Sequence, residues 1–197
     1  THRDVEVLKT NVPGVRRVVT LHEAKEVVRH EDRKLTVSLV ATAPDFADVA
    51  TLHMTRGRFL RYADLYIAPR PRAVCIPTEA LARKLFGLRD PLGRTVKVGK
   101  SSEPFVVVGV LRNTPRVIDT RTADREMMLM ISDAARVRRL GEFNISAERG
   151  QFQAEKVEVG QAILEMEDEE AVLPAAEVVR SLMQRRHDEP DYAVQVP

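Results

Sequence analysis

The sequence predicts a mixed α/β (α+β) fold built from two small units, and three observations point there. Period-two stretches near the N-terminus read as a long hairpin. The C-terminal end reads strand, helix, strand. The middle carries short strands and helices of its own. The expected division is a split βαβ-type unit from residues 1–48 and 155–197, with an α/β unit, 49–154, inserted in it. A doubly wound parallel sheet is not expected.

Residues 1–12 are polar and read as a frayed or linker-like end. Val15 to Val28 is rich in β-branched residues, "HEDR" (His30–Arg33) reads as a turn, and "KLTVSLVAT" (Lys34–Thr42) alternates Leu35, Val37 and Leu39 against Lys34, Thr36 and Ser38. Pro44-Asp45 opens a short helix or turn around "DFADVA". "RAVCIP" is a short strand. "TEALARKLFG" is a helix with Thr78 placed to cap it, Leu81, Leu85 and Phe86 on one face, and Gly87 placed to end it in a left-handed conformation.

"RTVKVG" and "PFVVVGVL" read as two strands joined through "KSSE". Arg112 to Arg125 reads as a polar loop. "MMLMI" is a strand and "SDAARVRRLG" a capped helix. Residues 142–160 show only a weak strand in "AEKVEV". "QAILEME" is a better one, followed by the longest helix, Glu170 to His187, with Pro174 tolerable in its first turn. "DYAVQV" reads as a closing strand.

Composition excludes several classes of function. The 197 residues, 44% hydrophobic and 30% charged, describe a folded chain and not a disordered one. Lys and Arg number 31 against 29 Asp and Glu, a net charge of +2, so no global field attracts nucleic acid. There is no Trp, and a stacking surface for bases or sugars is not expected. One cysteine, Cys75, excludes an intrachain disulfide and a Cys-rich zinc site. No run of about 18 apolar residues is present. The chain opens on Thr-His-Arg-Asp, with no Met, and nothing about targeting is read from that start.

The candidate chemical motifs fail on physical grounds. Gly99-Lys100-Ser101 resembles the end of a phosphate-binding loop. Yet Glu103-Pro104 and a Val-rich strand follow it, where phosphate binding needs a helix start. "HEAKE" (His22–Glu26) resembles H-E-x-x-H, but on a strand its ends stand about 13 Å apart, too far to share an ion. His2, His30, His53 and His187 lie in polar context and read as surface residues. No G-x-S-x-G elbow occurs, and Cys75 lies in an apolar strand as a small buried hydrophobe. The basic runs "RVRRLG" and "QRRH" sit at helix ends, where charge–dipole pairing explains them. No cofactor or metal is expected.

One ordered series remains. Gly57-Arg58-Phe59 is followed by Ala82-Arg83-Lys84-Leu85-Phe86-Gly87, then Asp90-Pro91-Leu92-Gly93-Arg94-Thr95-Val96-Lys97-Val98, then Phe105-Val106-Val107-Val108-Gly109-Val110-Leu111. This series resembles the extracytoplasmic (periplasmic) core domain of MacB-type ABC-transporter permeases, in the MacB/LolC/FtsX-like superfamily. "VPGV" with its hairpin, "MMLMISDAARVRRLG" and the closing βαβ are similar to the rest of that domain. Tyr62-Ala63-Asp64 is thinner in acids than the family pattern, Cys75-Ile76-Pro77 replaces a Gly-ending stretch, and residues 142–160 match nothing.

The resemblance implies a soluble, non-catalytic domain of a membrane protein, outside the cytoplasmic membrane, with a porter-like split unit. Its partners would be an ABC ATPase subunit or domain acting through the membrane helices, a periplasmic adaptor or lipoprotein, and a second permease copy. The task would be mechanotransmission for export or lipoprotein release. The alternatives are a stand-alone soluble binding module, and a small α/β hydrolase using Asp64, Asp90 or Cys75. Lys100, Ser101, Arg112, Arg116 and Arg121 are the expected partner contacts, because polar loops on a rigid frame carry recognition. Gly87, Asp90, Pro91, Gly93 and Gly109 form a structural signature of helix, turn and hairpin.

Overall fold

The computed structural model describes residues 2–66, 73–101, 103–112, 126–140, 144–148, 151–155, 160–187 and 192–196. In chain order the elements are α1 (His2–Asn11), β1 (Val15–His30), β2 (Arg33–Thr42), α2 (Phe46–Val49), β3 (Met54–Gly57), α3 (Tyr62–Tyr66), β4 (Val74–Pro77), α4 (Glu79–Phe86), β5 (Thr95–Val98), β6 (Phe105–Val107) and β7 (Gly109–Leu111). They continue with β8 (Met128–Ser132), α5 (Asp133–Leu140), β9 (Asn144–Glu148), β10 (Gln151–Glu155), β11 (Gln161–Met166), a 3-10 turn (Glu169–Ala171) and α6 (Val172–Arg186). The fold is mixed α/β, as the sequence predicts.

The main sheet has seven strands in the order β11-β1-β2-β8-β4-β6-β5. It returns on itself, because Val28 and Arg29 of β1 pair with Val98 and Lys97 of β5. Strand β1 makes this possible by its length. One edge pairs with β2 from Leu21 to His30. The other edge takes β11 over its first half and β5 near its end. The β2–β8 and β4–β6 pairs are parallel and the other ladders antiparallel.

Alternation along the strands produces two cores. Val28, Val37, Leu39, Cys75, Val96, Val98, Phe105, Leu129 and Ile131 face one side with Leu81, Leu85 and Phe86 of α4. Val19, Leu21, Val40, Val74, Ile76, Met128 and Met130 face the other, covered by Phe46, Ala50 and Leu60. Cys75 is fully buried among the first set, and burial pushes its thiol up from an ordinary 9.0.

Several local expectations need correcting. Residues 1–12 are not a linker, since His2–Asn11 is helix α1. Leu8 and Val12 pack on Ala175 and Val179 of α6, so a distant helix stabilises this polar-looking segment. "DYAVQV" forms no strand at 192–196, where Val194 instead packs against the α1–α6 cluster. The 142–160 region contains the hairpin β9–β10, whose second strand takes in Ala154 and Glu155 of the weak strand expected at "AEKVEV"; residues 156–159 lie outside the described residues.

"PFVVVGVL" is two strands, β6 and β7, which pair in different sheets. The break falls at Val108, whose N–H donates to Cys75 O and whose carbonyl accepts from Arg58 N–H. Thr78 stands at the N-cap of α4 but does not cap it; its hydroxyl bonds to the Glu126 and Met128 carbonyls near β8. Two histidines are not surface residues. The His30 ring packs on Phe86 with centroids 4.5 Å apart, and the His187 ring on Tyr192 at 5.7 Å.

Candidate functional site

The signature residues converge on one structural junction. Gly57 and Gly109 are register partners across β3 and β7. A Cβ on Gly57 would stand 2.3 Å from Val108 O and 2.8 Å from Leu92 Cδ2; one on Gly109 would stand 2.2 Å from Arg58 O. No side chain fits either position, which explains the close backbone approach expected at Gly109. Leu92 of the Asp-Pro-Leu-Gly turn thereby seats on the Gly57 backbone, so the separate pieces of the signature meet there.

The turn itself is built by side-chain and backbone bonds. Asp90 Oδ1 accepts from Leu92 N–H at 3.1 Å, and its other oxygen pairs with Arg56 at 3.3 Å. Pro91 O accepts from Arg94 N–H, and Gly93, at φ 74°, donates to Val107 O at 2.9 Å. Gly87 ends α4 with its N–H on Arg83 O, but at φ 66° and ψ −128°. That is not the left-handed helical conformation expected; it is a mirror-β region that only glycine enters readily. Arg33 then donates to Lys84 O at 2.6 Å, placing a cation at the helix C-terminus.

Arg58 follows Gly57 and makes the junction rigid. Its guanidinium donates in a fork to Asp64, at 2.7 and 2.8 Å, and the same carboxylate accepts from Arg61 N–H at 2.9 Å. Asp64 is 1% exposed. The bond to Asp64 pushes the Arg58 guanidinium further above its already high ordinary value. The sequence reading did not pair these two. The spacing Gly-Arg-Phe-Leu-Arg-Tyr-Ala-Asp, an Arg and an Asp around a short helix start, was the available signal.

Of the expected partner contacts, Lys100, Ser101 and Arg112 lie among the described residues. Lys100 is exposed at the turn between β5 and β6, and Ser101 donates its hydroxyl to Glu103 O at 3.0 Å. The Gly99-Lys100-Ser101 segment thus joins two strands with no helix start after it. Arg112 is exposed at the end of β7, with its N–H on His53 O at 2.8 Å. Arg116 and Arg121 lie outside the described residues. The structure brings Lys100 and Ser101 together at one tip and gives no contact between them and Arg112.

A second junction, not foreseen from sequence, joins the chain ends. α1 and α6 run antiparallel, with Leu8 and Val12 on Ala175 and Val179. Asp4 of α1, 5% exposed, accepts from Arg186 Nε at 2.8 Å, and His187 Nε2 stands 3.4 Å from its other oxygen. Val194 packs into the same cluster. The first and last described segments therefore meet at one end of the molecule. The i, i+4 spacing of Asp4, Leu8 and Val12 carried this signal.

Among the described residues no group of three His, Cys, Asp or Glu side chains is placed to hold a metal ion. Asp64 and Asp90 are bound to arginines, and Cys75 is buried as a neutral thiol. No helix among the described residues is long and apolar enough to cross a membrane.

A family model described as the MacB-like periplasmic core domain matches residues 1–182. Three solved structures are similar. The extracellular domain of the noncanonic ABC-type transporter YknZ from Gram-positive bacteria is 20% identical with a TM-score of 0.70, over 100% of this chain and 89% of that one. The periplasmic region of MacB from Actinobacillus actinomycetemcomitans is 18% identical with a TM-score of 0.67, over 96% and 75%. A domain of a permease protein from Porphyromonas gingivalis is 19% identical with a TM-score of 0.54, over 95% and 70%. No curated protein sequence matches the chain.

Proposed function

The chain belongs to the MacB-like periplasmic core domains, the extracytoplasmic part of ABC transporter permeases that work with an ATPase, and from that premise we propose that it is a non-catalytic domain carrying ATP-driven motion outward. The observation that supports this most is the junction of α1 with α6. It gathers both ends of the chain at one pole, as a domain held between membrane helices requires. Motion of those helices then enters α1 and α6 together and passes into β1, which follows α1, and β11, which precedes α6.

The domain also binds a substrate, an adaptor or a lipoprotein, for export or for lipoprotein release. Lys100, Ser101 and Arg112, with Arg116 and Arg121, are the proposed contacts, and a second permease copy completes the assembly. The proposal keeps residues 1–48 with 155–197 as one unit and 49–154 as the other. Strands β1 and β2 of the first share ladders with β5 and β8 of the second, so the two would move as a connected body.

The test is hydrogen exchange in the intact permease with its ATPase, with and without ATP. The reading expects changed protection in α1 and α6 on ATP binding. Identical exchange in both states, or ATP hydrolysis by the isolated chain, overturns it. Membrane spans of about 20 apolar residues in the reading frame before Thr1 and after Pro197 are the accompanying expectation.

A further inference from the structure

We propose that the outer face of β1, β2 and β5 is a docking surface for an extended acidic protein segment. Arg29 is the register partner of Lys34 on one side and of Lys97 on the other. Three cations therefore stand in one row across three strands, each about 5 Å from the next at Cβ. Like charges directly opposite one another on a sheet are destabilising, so this row costs the fold stability. Lys25 lies on the same face of β1 four residues before Arg29, with half-buried Val27 between them.

Lys25, Arg29, Lys34 and Lys97 are all exposed, and none has an ionic partner among the described residues. Arg29 reaches only a carbonyl, donating to Gly99 O at 2.9 Å. The neighbouring acids are engaged elsewhere. Glu23 accepts from Ser38 at 2.6 Å, and Glu31 pairs with Arg89 at 2.9 Å. Glu26 falls on the opposite face of the strand, over Gly99. Asp32 is exposed in the turn between β1 and β2. Lys100 adds a further cation beyond Gly99 at the end of β5.

The geometry selects the partner. Lys25, Val27 and Arg29 succeed one another every second residue along β1, so the two cations stand about 13 Å apart, a spacing met by every second acid of an extended segment with acids along one face at about 6.6 Å. A lipid surface fits less well. From Val15, beside the chain-end junction, to Arg29 is about 45 Å of strand, far beyond the Debye length of about 8 Å. That placement relative to the membrane rests on the proposed function above.

The test uses the 197-residue chain and a fluorescein-labelled peptide of alternating Glu and Val, read by anisotropy at several salt concentrations. Two triple variants are compared with the parent chain. One is Lys25→Gln, Lys34→Gln and Lys97→Gln, whose side chains hold no structural bond. The control is Lys9→Gln, Arg138→Gln and Arg180→Gln, an equal loss of exposed charge elsewhere. We expect the first to weaken binding tenfold or more and the control to leave it unchanged. Equal losses in both, or none in either, overturn the proposal. So does tight binding of phosphatidylglycerol-containing vesicles through the same lysines, which would make the partner a lipid surface. Because the peptide assay needs no flanking helix, a reading frame without membrane spans would remove the permease reading while leaving this result to stand by itself.

Discussion

Gly57 and Gly109 face each other as register partners across β3 and β7, and neither has room for a methyl group. Each belongs to a different piece of the sequence signature, and Leu92 of a third piece fills the space beside Gly57. Gly109→Ala drives a Cβ to 2.2 Å from a backbone oxygen and should cost about 3 kcal/mol in urea denaturation. Gly93→Ala is the contrast. Nothing lies within 4 Å of its Cβ position, and only the positive φ is strained, so about 1 kcal/mol is expected. Equal costs at both positions would show that crowding is not what selects glycine at the junction.

Asp64 is the one buried acid that holds a forked arginine in the junction. Asp64→Ala takes the forked carboxylate from the Arg58 guanidinium, which retains its bond to Phe59 O, and the acceptor from the Arg61 N–H, and a loss of about 3 kcal/mol is expected. Arg58→Ala with Asp64→Ala should cost less than the sum of the single changes. Additive losses would mean the two side chains act independently.

Cys75 links stability to alkaline pH. Its folded pKa is raised by burial, so the folded chain keeps the thiol proton where the unfolded chain releases it. The contribution is full below the ordinary value of 9.0 and declines above it by about 1.4 kcal/mol per pH unit. Cys75→Ala should flatten that alkaline decline, and a thiol reagent should label the parent chain only in denaturant. Rapid labelling of the folded chain at neutral pH would contradict the burial described here and reopen a nucleophilic role.

Asp90→Ala removes the bond to Leu92 N–H and the exposed pair with Arg56. A loss of about 1 kcal/mol is expected, most of it from the turn, since exposed ion pairs contribute little. The Asp90 variant of an enzyme would instead lose turnover while keeping its melting temperature, which separates the two classes in one thermal scan.

The sequence carried the local parts of this fold. Leu35, Val37 and Leu39 alternate and form β2; Leu81, Leu85 and Phe86 share a helical face and are buried. Helix α1 was missed because its apolar stripe is only Leu8 and Val12, and its support comes from α6 at the other end of the chain. The closing strand was expected from β-branched residues at 192–196, where packing of one valine on a helix pair decides the outcome. The Asp4–Arg186 pair and the β1–β5 closure join segments far apart in the chain, and no residue period announces which partner each meets; the Arg58–Asp64 fork is local, six residues apart, but spacing alone does not say that the two pair. Lys100 and Arg112, the proposed partner contacts, are legible in the sequence only as exposed polar positions, whereas the cationic row at Arg29 depends on cross-strand register.

The ladder between β1 and β11 begins at Val15 and Met166, and these residues are joined almost directly to α1 and α6. Tension that separates the two chain ends would therefore open that ladder from its first rung, one hydrogen bond after another, once the Asp4 pair had yielded. Tension applied to both ends in the same direction would load no such rung and would displace the strands as a block. On this geometry the domain would be compliant to splitting and stiff to a common pull. Optical-tweezer extension from Thr1 and Pro197 should record early, low-force yielding confined to this corner.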